Sequence, residues 1–315
     1  MRETTLDSVM FPVALRSLTF TSPDGNARRV KSHMAVVNCR TEQPVGVVGE
    51  SYRLVPNAEA VEYGRQCARL LFGDVKPEAL EVFNVYAPLS GWGCHVDLMH
   101  KGWEVNIRKR EVYLPFVRVT NSYNATRALR FDVGYCRKVC SNGVIFEEET
   151  IRFTFSHSRE ALRRGPHFEV GKDLLDDLRR RFAATADRLY GFQVPPGAEL
   201  PLLFKALQLP LPPASQQITT RHVELFEDLA KVARDRLGRY TASMGANAYA
   251  VFNAATDFAS HPPEIKHFRR SQHAMQTSAG TWSHEFAGQV AKGKEFKLDD
   301  YLDGYKVMAG WGNPD

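Results

Sequence analysis

Cysteine is sparse in this chain, and long apolar runs are missing. Five cysteines (Cys39, Cys67, Cys94, Cys136 and Cys140) are scattered through 315 residues. An odd and dispersed set does not form a disulfide framework, so free thiols in a reducing, cytoplasmic compartment are expected. A membrane-spanning helix needs about 20 consecutive apolar residues, and no stretch approaches that. The opening MRETTLDSVM lacks the basic-then-apolar layout of a secretory leader. The Asn124-Ala125-Thr126 triplet is therefore expected to stay unglycosylated. Internal repeats and low-complexity tracts are absent as well.

Catalytic and cofactor motifs are equally scarce. Gly288 to Glu295 approaches a phosphate-binding loop, but Glu295 stands where a Ser or Thr must hold magnesium, and a carboxylate there repels phosphate. No HExxH occurs among the ten histidines. Cys136 and Cys140 share one face of a strand but lie about 13 Å apart, too far for one metal ion without a bulge. Cys94 and His95 are adjacent on a strand and point to opposite sides, which does not suit a nucleophile and its base. No catalytic residue, metal or cofactor is assigned, and the chain reads more as a binding protein than as an enzyme.

Positive charge is what the chain does concentrate. Net charge is +5, yet residues 101–140 carry nine basic side chains against three acidic ones, leaving the remainder slightly acidic. A cluster holding the whole imbalance is the footprint expected of a phosphate-binding surface. A solvated basic face is the ordinary alternative.

Periodicity divides the chain in two. Up to about residue 165 the signals are those of strands: 33–39 and 45–52 as a hairpin, then 81–89, 93–100, 111–120, 127–140 and 144–156. One helix interrupts them after Pro56, with Asn57 as its N-cap and Gly73 as its end. Pro115 predicts a bulge or an edge position within its strand. This order gives an α+β fold, a mostly antiparallel sheet with one packed helix in residues 1–165. Residues 166–315 turn helical, with stripes at Leu174, Leu178, Phe182 and Leu189, at Leu225, Leu229, Val232 and Leu237, near 245–260 and near 280–292. A proline-rich connector spans 192–217, and an aromatic C-terminal tail follows, suited to packing on the body or on a neighbouring subunit as a homo-oligomer.

Residues 127–146, RALRFDVGYCRKVCSNGVIF, concentrate the charge on a strand. Leu129, Phe131, Val133 and Tyr135 alternate onto a core face, while Arg130, Asp132, Gly134, Cys136 and Lys138 fall on a face expected to be wet or bound. Arg137 continues the apolar side and is expected at a core margin or in the grip of a carboxylate or backbone carbonyls. Ser141-Asn142-Gly143 predicts a tight reversal.

Thr120-Asn121-Ser122, followed by the alternating strand and Arg137-Lys138-Val139-Cys140-Ser141-Asn142-Gly143, resembles the signature of the domain-of-unknown-function 932 family. Val48 to Asn57 and Asn247 to Asp257 are similar to further elements of it, so the likeness spans about residues 45–290. Where that family often has Asp-Gly, this chain has Asn124-Ala125. The resemblance makes Asn121, Ser122, Arg137, Cys140, Asn142 and Gly143 structural motif residues. It also implies a setting on phage or plasmid elements, where DNA handling is common.

Two functions follow from different classes. The first is non-catalytic binding of nucleic acid, single-stranded DNA by preference, including annealing. Arg108, Lys109, Arg110, Arg118, Arg127, Arg130 and Lys138 would neutralise phosphates, with Trp92, Trp103 and Tyr123 as stacking platforms. The second is a protein-interaction factor, an inhibitor or assembly protein, whose basic strand meets an acidic partner.

Overall fold

The structure is a computed structural model that describes residues 2–73, 79–108, 111–138, 143–145, 151–170, 173–211 and 219–310. It is an α+β protein with antiparallel sheets towards the N-terminus and helices after them. The chain divides into two compact units, residues 1–104, 114–134 and 150–175 in one and 105–113, 135–149 and 176–315 in the other. Each unit draws on several stretches of chain, where the sequence reading drew a single boundary at 165.

The strands are β1 (Arg2–Glu3), β2 (Val13–Thr21), β3 (Ala27–Asn38), β4 (Pro44–Gly49), β5 (Leu80–Ala87), β6 (Gly93–His100), β7 (Val105–Arg108), β8 (Glu111–Ser122), β9 (Leu129–Arg137), β10 (Gly143–Ile145) and β11 (Arg152–Phe155). Among the described residues β2, β3 and β4 form a small sheet, and the large sheet runs β1-β5-β6-β8-β9-β10, with β11 also on β9 and β7 on β8. The expected hairpin at 33–52 is β3 and β4, but β3 begins earlier and pairs with β2, an N-terminal strand the sequence reading missed. Residues 139–142, with the expected Asn-Gly turn, lie outside the described residues.

Pro115 sits in the interior of β8. The β6 partnership runs from Ser122 to Phe116 and the β7 partnership from Tyr113 to Glu111, so the proline falls between the two registers. Its missing N–H is therefore placed where neither of those ladders needs one.

A short helix α1 (Leu6–Val9) precedes the small sheet, and α2 (Asn57–Phe72) packs on the large one. Val61, Gly64, Cys67, Ala68 and Leu71 are buried on α2. A Cβ added at Gly64 would run into Val119 Cγ2 and lie 3.0 Å from Leu98 Cδ1, so glycine allows the close approach of helix and sheet. Pro56 takes the N-cap position. Asn57 is instead the first helical residue and is fully used: its N–H donates to Tyr123 Oη at 2.8 Å and its Nδ2 to Val9 O at 2.8 Å.

In the second unit, which takes α3 (Leu174–Gly191) from Asp176 onward, α3, α5 (Thr220–Met244), α6 (Ala248–Ser260) and α7 (Gln272–Val290) match the four expected helical stripes. The connector at 192–217 is not all extended. It contains α4 (Glu199–Leu207), whose Leu202, Leu203, Phe204, Ala206 and Leu207 are buried. Pro195 and Pro196 precede the helix and Pro201 sits in its first turn, where a missing N–H is tolerated. After α7 comes α8 (Leu298–Tyr301), and the tail aromatics Phe296 and Tyr301 pack on Phe286 of the same chain. Lys205 Nζ donates to Tyr301 O at 2.5 Å and lies 3.6 Å from that ring's centre.

Candidate nucleic-acid interface

The side of the large sheet that carries Arg118 holds a ladder of charges. The antiparallel register places Asp97 of β6 opposite Arg118 of β8 and Asp132 of β9 opposite Arg152 of β11. Arg118 Nε and Nη2 donate to the two oxygens of Asp97 at 2.6 Å each, with Arg118 0% and Asp97 1% exposed. The rings of Tyr86 and Phe116 lie 5.7 and 5.8 Å from its guanidinium carbon. Burial alone would lower the pKa of Arg118, but the Asp97 carboxylate, with Asp132 adding to it, raises it instead. Arg130 and Arg152, both a quarter exposed, donate to the buried Asp132 through their Nε atoms at 2.9 and 2.6 Å.

The β9 face expected to be wet or bound is closed to water at Asp132 and bound there by arginines of the protein itself. Residues 131–136 are buried in succession, because Asp132 is enclosed by two arginines and β9 lies between neighbouring strands. Arg118 is likewise withdrawn from the phosphate-binding set, since its hydrogen-bonding edge is taken up by Asp97. Tyr123 is withdrawn from the stacking platforms. It is 0% exposed, its ring packs near Phe11, and its hydroxyl accepts from Asn57.

At one end of the ladder stand two half-buried side chains, Trp92 and Arg127. Trp92 enters from the turn before β6, and Arg127 from the loop between β8 and β9. That loop is built by its own side chains. Asn124 Oδ1 accepts from the N–H and hydroxyl of Thr126 at 3.2 and 2.6 Å, and Ala125 adopts a left-handed φ of 56°. Ser122 Oγ accepts from Arg127 N–H at 3.1 Å and donates to Arg127 O at 2.8 Å. The Arg127 guanidinium then lies 5.4 Å from the Trp92 ring centre, with its Nη1 2.5 Å from His95 Nε2. His95 Nδ1 is 2.8 Å from Thr120 Oγ1. If Arg127 donates to Nε2, the ring is neutral with its proton on Nδ1, directed at Thr120. Burial, and then repulsion from Arg130, lowers the pKa of Arg127. An anion arriving here would offset the repulsion between Arg127 and Arg130.

The remaining expected residues are dispersed. Arg108 ends β7, and Lys109, Arg110, Cys140 and Asn142 lie outside the described residues. Lys138 is exposed just after β9. Trp103 packs edge-on to Phe72 and His100 with centroids 5.5 and 6.3 Å away, which leaves it half-buried. Asn121 and Ser122 are buried. Asn121 Nδ2 donates to Val55 O and to Asn57 Oδ1, locking β8 to the start of α2. Arg137 is half-buried and donates to Glu111 at 3.2 Å. Glu111 also accepts from the Tyr249 hydroxyl, which lies 2.9 Å from Tyr113 Oη. Gly143 N–H donates to Ser260 Oγ at 3.0 Å. Asp97 and Arg152 are not among the residues expected from sequence, and His95 enters there only as a neighbour of Cys94; the alternation of β6 is the signal for His95 and Asp97, since a His and an Asp on one face of an apolar strand need partners.

Burial pushes the Cys94 thiol up to about 12, so it is protonated at neutral pH. Among the described residues no group of three His, Cys, Asp or Glu side chains could hold a metal, and no helix is long and apolar enough to cross a membrane.

The family described as Domain of unknown function (DUF932) matches residues 44–282, and the chain belongs to it. No curated protein and no solved structure matches the chain.

Proposed function

We propose that this member of the DUF932 family binds single-stranded nucleic acid without catalysing a reaction on it, using the cationic end of the sheet ladder. The observation that carries this reading is the Arg127 guanidinium 5.4 Å from the Trp92 ring centre, both side chains half-buried, with Arg130, itself paired to Asp132, near enough to repel it. A phosphate can be held by the guanidinium, while an indole face is a sequence-tolerant platform for a base. The buried ladder behind it gives the pair a rigid seat.

The test is fluorescence anisotropy of a labelled 30-nucleotide oligothymidine across a salt series. Binding is expected to weaken steeply as salt rises, through release of condensed counterions. Arg127→Glu should weaken it at every salt concentration, with the melting temperature as a check on folding. Wild-type binding indifferent to salt, or an Arg127→Glu variant that binds as well as wild type, would rule the reading out.

A further inference from the structure

The β2–β3 ribbon carries a second cationic surface that the charge count along the sequence hid. Residues 16–33 contain Arg16, Arg28, Arg29 and Lys31 against one acid, Asp24. The register jumps between Ser17 and Leu18, after which Leu18 pairs with Val30, Thr19 with Arg29, Phe20 with Arg28 and Thr21 with Ala27. Among the described residues β4 pairs with β3 only from His33 to Val37, so beyond the jump the ribbon is two-stranded. Nearly every residue of it is exposed, with Leu18, Ser22 and Val30 the exceptions.

The tip is stiff. Ser22 N–H donates to Asn26 O at 2.9 Å, Gly25 N–H donates to Ser22 O at 2.8 Å, and Gly25 takes a φ of 81°. Asp24 accepts from Ser22 Oγ, from Asn26 N–H and from Arg28, so the single acid of the ribbon is spent on the turn. Arg16, Arg29 and Lys31 are all exposed and make no ion pair or side-chain hydrogen bond among the described residues. Phe20 stands 52% exposed opposite Arg28.

We infer that the ribbon is a nucleic-acid-binding arm. Phe20 pairs with Arg28 and Thr19 with Arg29, so Phe20 and Arg29 stand on opposite faces of the ribbon. A single strand therefore crosses an edge of the two-stranded part, with Arg16, Arg29 and Lys31 holding its phosphates and Phe20 stacking against one of its bases. Charge complementarity selects the polyanion, and an uncovered aromatic ring on a cationic ribbon selects one with unpaired bases. This rests on the function proposed above and adds a second contact region to it.

The test compares wild type, Arg16→Gln/Arg29→Gln/Lys31→Gln and Phe20→Ala on the same oligothymidine. Loss of three phosphate contacts should reduce the slope of log K against log salt by roughly 2, at about 0.7 per phosphate for a single strand. Phe20→Ala should weaken binding roughly 5- to 150-fold with the slope unchanged. Melting temperatures should stay at the wild-type value, because these side chains are exposed. Wild type that binds no oligonucleotide even at about 50 mM salt would sink the function itself. Wild type that binds, with a triple variant of unaltered slope, would overturn the arm alone. Polyglutamate of equal length, bound by wild type as tightly as the oligonucleotide, would assign the ribbon to an acidic protein and also overturn it.

Discussion

Arg118 in the sheet and Arg29 on the ribbon are the same residue type in opposite circumstances. Arg118 is enclosed, with two Asp97 oxygens at 2.6 Å. Arg29 is exposed and has no acidic partner among the described residues. Both sit on strands in cationic neighbourhoods. One charge holds the protein together, and the other is available to something outside it. Counting basic residues along the chain cannot separate these cases, because neutralisation by Asp97 and Asp132 happens across strands.

That contrast can be broken first through stability. Asp97→Ala should destabilise the protein by about 3–5 kcal/mol, because it strands a buried guanidinium. Arg29→Ala should change stability by no more than about 0.5 kcal/mol. Urea unfolding of the two variants checks this, and equal losses would erase the distinction.

A smaller effect is expected where the small sheet meets the site loop. A Cβ at Gly46 would collide with the carbonyl of Tyr123 and come 2.9 Å from Asn124 Cα. Gly46→Ala should therefore lower stability by about 1–3 kcal/mol and shift oligonucleotide binding with it, since that loop seats Arg127. Trp92→Ala should weaken binding by about 1–3 kcal/mol without altering its salt slope.

The smallest effect concerns a charge pair that is only half withdrawn from water. His261 Nδ1 is 3.0 Å from Asp257 Oδ1, with Arg236 and Arg239 also near that carboxylate. The hydrogen bond to Asp257 raises the pKa of His261 despite partial burial. A raised folded-state pKa means stabilisation that is full below the unfolded value near 6.5 and lost as pH rises through the folded one. Because His261 is largely exposed, the loss between pH 6 and pH 8.5 should be about 0.3–0.5 kcal/mol. Thermal melts of wild type and His261→Ala at the two pH values measure it; the pH dependence of the difference should follow that sign.

Much of the fold was legible because local patterns and global packing agree. The α2 stripe, the alternation in β8 and β9 and the helices from α3 onward are set by period, and period survives in sequence. What was not legible depended on partners far along the chain. Asp132 reads as a wet strand residue until Arg152, twenty positions later, pairs with it. Tyr123 reads as a free ring until the backbone of Asn57 claims its hydroxyl. The β2–β3 ribbon was missed for another reason: Ser22-Pro23-Asp24-Gly25-Asn26 is a strong turn signal, but the flanking residues are too polar to show a core face.

The salt slope of oligothymidine binding measures the central claim most directly when wild type, Arg16→Gln/Arg29→Gln/Lys31→Gln and Arg152→Gln are run together. Arg152 donates to Asp132 inside the ladder, so its loss should leave the slope unchanged while the ribbon variant drops by roughly 2. A full slope in the ribbon variant, with the drop appearing in Arg152→Gln, would contradict the account.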